Sequence, residues 1–138
     1  MDRRSFLHGM AAGAAVATLP LRAGQAAEGL LATRMRGVER DLPALGLGTA
    51  RRWSDPTSEA DWAALRETLA RFVALGGQVV DTAPSYGKAE EAIGRLAQEL
   101  GLRDKLFLAT KVGVDSRVEG ERQIEESFGK LRTERIDL

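Results

Sequence analysis

Three side chains in the stretches "QVVDTAPSYGKAEEAIG" (78–94) and "KLFLATKV" (105–112) can share acid–base chemistry: Asp81, Tyr86, which is the only tyrosine, and Lys111. A tyrosine hydroxyl ordinarily ionises near a pH of about 10, so proton exchange at neutral pH benefits from a nearby cation that stabilises the phenolate. Lys111 suits that task, and a lysine in a partly desolvated pocket needs a carboxylate to keep it charged and oriented, which Asp81 can provide. An acid, its tuner and its orienter form a set that can protonate a carbonyl oxygen as hydride reaches the carbon, the chemistry of carbonyl reduction with a nicotinamide cofactor. Each residue also has a plain reading: a turn or cap aspartate, a loop tyrosine with a half-buried ring, and a solvated strand-end lysine.

The three can act together only if the chain gathers them. Around Gly37 two short extended segments read as a hairpin, and Ala44 to Thr49 reads as a first core strand with Pro43 at its entrance. Ser54 to Glu59 supplies cap residues and an early proline, after which Trp62, Leu65, Leu69, Phe72 and Val73 recur at helical spacing up to Gly76-Gly77. Gln78 to Thr82 predicts a strand, Lys88 to Leu100 a helix with Ile93, Leu96 and Leu100 in one stripe, and Lys105 to Val112 another strand. A third helix is expected over Glu119 to Leu131 through Ile124, Phe128 and Leu131, and Arg135 to Leu138 begins a further strand. Strands alternating with helices over short connections call for a parallel sheet, either doubly wound or a β/α barrel. In either, residues at strand C-terminal ends and in the loops after them face one end of the sheet, which is where Asp81, Tyr86 and Lys111 fall.

Composition removes several alternatives. There is no cysteine, and the single histidine, His8, lies near the N-terminus, so neither a Ser-His-Asp triad nor a histidine or thiolate metal site is expected within this chain. Twenty basic and twenty acidic residues are interspersed, which predicts a small-molecule partner and no nucleic acid. The Gly46-Leu47-Gly48 glycines ease a strand end and do not form a dinucleotide fingerprint, because Arg51 stands where a third glycine belongs and the helix starts too late. Arg51, Arg52 and Trp53 read as a solvated loop anchored by one aromatic, with the mouth of a substrate site as the alternative.

The first residues, "MDRRSFLHGMAAGAAVATLPLRAGQAAEG", differ in kind from the rest: an arginine pair, an apolar run from Gly9 to Leu21, then small residues. The run is shorter than the roughly 20 residues a spanning helix needs, so an export signal is expected and a stable membrane span is not. Asp2 to Leu7 resembles the twin-arginine signal, with Asp2 and His8 at places where that pattern has Ser or Thr and often Lys. Cleavage after Ala26 would fit Gly24 and Ala26, leaving residues 27–138 as the mature domain with a mild net negative charge. The resemblance implies delivery by the twin-arginine translocation machinery, with a periplasmic or exported destination.

The chain beyond this signal resembles the aldo/keto reductase superfamily. The stretches carrying the likeness are LGLGTA (45–50), DTAPSYGKAEEAIG (81–94), LFLATKVG (106–113) and IEESFGKLRTERIDL (124–138), which resemble its first four βα units in order. An Asp-Thr-Ala-x-x-Tyr-Gly segment followed by a strand ending Thr-Lys is specific to that superfamily. The resemblance implies a (β/α)8 TIM barrel of which this chain holds about the first half, from the first strand to the start of the fourth. It also implies NADPH as cofactor and aldehydes or ketones as substrates. Catalysis would fall to an Asp, Tyr, Lys and His group, with Asp81, Tyr86 and Lys111 matching the first three and Tyr86 as general acid. Gly48, Thr49 and Asp81 match positions near the cofactor. In that superfamily the histidine lies a few residues into the strand that Ile136-Asp137-Leu138 begins, so it and most of the cofactor site are expected to fall outside this chain.

Since a TIM barrel runs to about 250 residues, the chain reads as the N-terminal part of an exported reductase, inactive alone. Two alternatives stay open: a non-catalytic half-barrel that pairs with itself through open sheet edges or with another subunit and serves as a binding, structural or interaction module, and a rearranged α/β domain that binds a nucleotide without reducing anything.

Overall fold

A computed structural model describes residues 30–138; the expected signal over 1–26 lies outside the described residues. A short antiparallel hairpin comes first, β1 (Ala32–Arg34) against β2 (Asp41–Pro43), with Thr33 opposite Leu42. It is followed by three strands in a parallel sheet, β3 (Leu47–Gly48), β4 (Val79–Asp81) and β5 (Phe107–Ala109). The helices between and after them are α1 (Glu59–Ala74), α2 (Ala89–Glu99) and α3 (Arg117–Leu131). A 3-10 turn over Arg51–Trp53 precedes α1 and another over Arg103–Lys105 precedes β5.

The order β3-β4-β5 follows the chain without reversal. Parallel crossovers are nearly always right-handed, so connections that step in one direction leave their helices on one face. The contacts agree, since α1 touches α2 and α2 touches α3. A doubly wound sheet would reverse its strand order and cover both faces; this one covers a single face, as a barrel wall does.

Local sequence explains the element bounds. Ser58 caps α1 by accepting from Asp61 N (3.1 Å) while Asp61 Oδ2 accepts from Ser58 N (3.0 Å), a reciprocal pair that satisfies two otherwise orphaned donors. Ser116 caps α3, which therefore starts at Arg117, two residues before the expected Glu119. Between sheet and helices lies a core of Leu65, Leu69, Val80, Ile93, Leu96, Leu106, Leu108 and Leu131, each no more than 6% exposed.

Two expectations change in detail. The α3 stripe is buried at Leu131, but Phe128 is only half-buried and Ile124 is 39% exposed, because Gly120 and Ser127 occupy the inward face where α3 lies close to its neighbours. The segment expected to begin a fourth strand forms no full ladder, yet it runs beside β5. Asp137 N and Leu138 N donate to Leu108 O (2.8 and 3.1 Å), and Thr110 N donates to Leu138 O (2.9 Å).

Candidate active site

Strand alternation decides which side chains reach which face. Asp81 ends β4 opposite Ala109 of β5, so Asp81, Ala109 and Lys111 share one face, while Val80, Thr82, Leu108 and Thr110 turn to the helices. Asp81 and Lys111 meet directly: Lys111 Nζ lies 2.7 Å from Asp81 Oδ1 and also donates to Thr82 O at 2.8 Å. Both side chains are close to half exposed, at 49% and 47%.

The Tyr86 loop brings the phenol to the same end. Tyr86 N donates to Ala83 O (3.0 Å) and Tyr86 O accepts from Ala89 N (3.1 Å), so the residue sits in consecutive turns that lead into α2. Its ring is partly buried against the hydrophobic core. Lys111 Nζ stands 5.1 Å from the ring centroid, within cation–π range. The next residue, Gly87, has a positive φ of 61°, and a Cβ there would come within 2.5 Å of Ser54 O. Only glycine allows both that backbone conformation and that approach. Lys88 N donates to the same Ser54 O (2.8 Å), and Lys88 Nζ pairs with Asp55 at 3.0 Å, so the loop after β3 buttresses the loop that carries Tyr86.

Electrostatics follow from this geometry. Desolvation is the largest single influence on Lys111 and favours its neutral form, but the hydrogen bond and charge of Asp81, helped by smaller contributions from Tyr86, outweigh it. The ammonium is held above lysine's ordinary value. Such a site keeps a permanent positive charge beside a phenol.

The remaining candidates divide by role. Gly48 is paired in register with Asp81, is exposed, and has no atom within 4 Å of the place a Cβ would take. Thr49 is fully buried, and both its N and its Oγ1 donate to Asp81 O (3.1 and 2.9 Å), so it fixes the backbone under Asp81. Arg51 and Arg52 are exposed and Trp53 is 3% exposed, the loop-with-anchor arrangement expected of that stretch. Sequence reasoning missed the Ser54–Gly87 buttress; the visible signal was a glycine directly after the tyrosine.

Residues 44–138 match the aldo/keto reductase family. The chain belongs to that family. Its β3-α1-β4-α2-β5-α3 order is the first part of the family's TIM barrel, and its first 20 residues match the twin-arginine translocation pathway signal sequence, which points to export by that route. Among relatives, it is 34% identical over 84 residues to aldo-keto reductase YhdN of Bacillus subtilis, covering 52% of this chain and 25% of that protein. It is 33% identical over 103 residues to an aldo-keto reductase of Mycobacterium avium, covering 72% of this chain and 33% of the relative. Among solved structures, a glycerol dehydrogenase from Gluconobacter oxydans aligns with a TM-score of 0.63 and 28% identity, over 76% of this chain and 37% of that one. An aldo/keto reductase from Klebsiella pneumoniae in complex with NADP and acetate aligns with a TM-score of 0.58 and 29% identity, over 70% and 34%. The chain thus spans about a quarter to a third of the length of the curated relatives it matches. Among the described residues no helix is long and apolar enough to cross a membrane.

Proposed function

We propose that this segment supplies the acid–base half of an NADPH-dependent reductase that converts aldehydes or ketones to alcohols. The observation that carries the reading is the 2.7 Å Lys111–Asp81 pair beside the Tyr86 ring at the C-terminal ends of adjacent parallel strands. Tyr86 is the general acid: its hydroxyl proton passes to the carbonyl oxygen, leaving a phenolate that the Lys111 ammonium stabilises. Asp81 keeps that ammonium charged and aimed. The solved Klebsiella pneumoniae relative in complex with NADP supports the cofactor class.

The residues present fit a flat nicotinamide ring. Gly48 leaves open space in register with Asp81, and Thr49 holds the backbone beneath it. Gly48 and Asp81 would hold the ring, and Thr49, whose N and hydroxyl both donate to Asp81 O, would fix the backbone they stand on. A reduced nicotinamide, when bound, supplies the hydride that reaches the carbonyl carbon as Tyr86 releases its proton.

Because Asp81 and Lys111 are nearly half exposed, water reaches the pair and weakens its field. Turnover therefore requires further barrel wall over this face, and the 30–138 unit alone is inactive. Residues 1–26 act as a cleaved signal that delivers domain 27–138 to the periplasm or the exterior. The test is Tyr86→Phe in the full-length protein, followed by loss of nicotinamide absorbance with an aldehyde substrate. A fall in kcat/KM of about 10²- to 10⁴-fold at unchanged NADPH affinity is expected for a general acid; full activity overturns the assignment.

One observation favours a second reading, a non-catalytic half-barrel module. Val112, Val118, Ile124 and Leu138 are 51%, 78%, 39% and 64% exposed near β5 and along α3, apolar surface that a second copy could cover. Light scattering on the chain tests it: a discrete, stable oligomer supports the module, and an aggregated or unfolded product counts against it.

A further inference from the structure

Glu90 is used by none of the chemistry above, yet it is 1% exposed and sits in the first turn of α2. Its Oε1 accepts from Thr110 Oγ1 at 2.7 Å. Its Oε2 is one of two buried side-chain polar atoms without a hydrogen-bond partner among the described residues, and the other is Thr82 Oγ1. A carboxyl buried between helix and sheet is costly and persists where its hydrogen bonds hold something in place.

What it holds follows from the register. Asp81 opposite Ala109 puts Thr82 beside Thr110 on the helix-facing side, one residue after Asp81 and one residue before Lys111. Asp81 and Lys111 occupy the opposite face of those same strand ends. Thr82 O is itself an acceptor for Lys111 Nζ (2.8 Å), and Thr110 N is bonded to Leu138 O (2.9 Å), so both threonines have their backbone tied to the site or to the neighbouring segment. The helix dipole favours an acidic group at the α2 N-terminus, where Glu90 lies.

We infer that Glu90 is a positioning residue: from the helix side it pins the end of β5 through the Thr110 hydroxyl and thereby sets the Lys111–Asp81 contact on the other face. Thr82 enters only through its backbone, as its carbonyl accepts from Lys111 Nζ while its hydroxyl has no partner among the described residues. The catalytic consequence rests on the role proposed for Lys111; the clamp does not, and its test reads geometry without turnover.

The test follows the side-chain 13Cε–1Hε signal of Lys111 by NMR in the full chain, which has four lysines, with the signal identified by its loss in Lys111→Arg. Asp81→Asn defines its position when the pair is broken. Glu90→Ala and Thr110→Val are expected to move the signal by at least half that displacement, while Glu90→Gln, which keeps an acceptor for Thr110, restores the wild-type position. Leu69→Ala, a core truncation away from the clamp, separates positioning from general loss of stability and is expected to leave the signal in place. Should Glu90→Ala fail to fold, Thr110→Val carries the result. An unmoved signal in Thr110→Val, an equal displacement in Leu69→Ala, or a displacement in Glu90→Gln as large as in Glu90→Ala overturns the inference.

Discussion

Gly94 lies in α2, where helix propensity alone predicts that alanine would stabilise the protein by about 1 kcal/mol. The structure reverses that sign. A Cβ on Gly94 would come within 2.2 Å of Lys130 O and 2.6 Å of Leu131 C, both backbone atoms at the end of α3. Backbone cannot rotate aside as a side-chain tip can, so the end of α3 must retreat by about 1 Å, and a gap of that size forfeits a quarter to a half of each dispersion contact it opens. Leu131, 1% exposed, lies at that contact. Overpacking costs about 1–3 kcal/mol, and against backbone the upper part of that range applies; about 2–3 kcal/mol set against about 1 kcal/mol of propensity leaves Gly94→Ala net destabilised by about 1–2 kcal/mol, a urea midpoint lowered by roughly 1 M for an m-value of about 1.5 kcal/mol/M. Gly129 in α3 is the control: it is exposed, no atom lies within 4 Å of the place its Cβ would take, and alanine there should gain about 0.5 kcal/mol. The measurement is urea unfolding of both variants beside the wild type. A Gly94→Ala midpoint at or above wild type would refute the claim that α2 and α3 meet backbone to backbone.

Other outcomes follow from the site. Gly87→Ala combines a positive φ with a 2.5 Å approach to Ser54 O, so it should displace the Tyr86 loop and change the near-UV circular dichroism of Tyr86 and of Trp53, the residue before Ser54, at a cost of about 1–3 kcal/mol; an unchanged spectrum and midpoint would count against the buttress. Asp81→Asn removes the hydrogen bond and charge that raise Lys111 and leaves desolvation, which lowers it, as the largest influence; NMR titration should therefore place Lys111 lower than in the wild type. The same sign governs stability. Because Lys111 is raised in the folded state, its contribution is complete below lysine's ordinary 10.5 and disappears as pH climbs through the raised value, so wild type should lose more stability than Asp81→Asn in that alkaline window.

The sequence made the fold legible where periodicity was strong. Leu65, Leu69, Ile93 and Leu96 recur at helical spacing and are all buried, and the run Gln78 to Thr82 contains β4. Length was less legible: β3 covers only Leu47–Gly48 of the six residues from Ala44 to Thr49, and β5 covers only Phe107–Ala109 of the stretch expected from Lys105 to Val112. A propensity reports what a backbone tolerates, whereas a strand ends where its neighbour stops offering ladder partners, and that depends on residues far away in the chain. In the site, Asp81, Tyr86 and Lys111 could be read from type and position because strand ends of a parallel sheet converge. The Ser54–Gly87 contact and the Thr49 bonds to Asp81 O could not, since both depend on a loop path that no local pattern encodes.

Alternation along two short strands explains why one sheet end can serve packing and chemistry together. Val80 and Leu108 are fully buried toward the helices, while their neighbours Asp81 and Ala109 turn to the other face. A slip of one residue in the β4–β5 register would bring Lys111 to the helix side and Thr110 to the face of Asp81, burying a charge and breaking the 2.7 Å pair at once. The apolar residues that specify the core thus also specify the register that the acid–base group requires. Mutations that loosen Val80 or Leu108 should therefore disturb the Lys111–Asp81 pair without touching either residue.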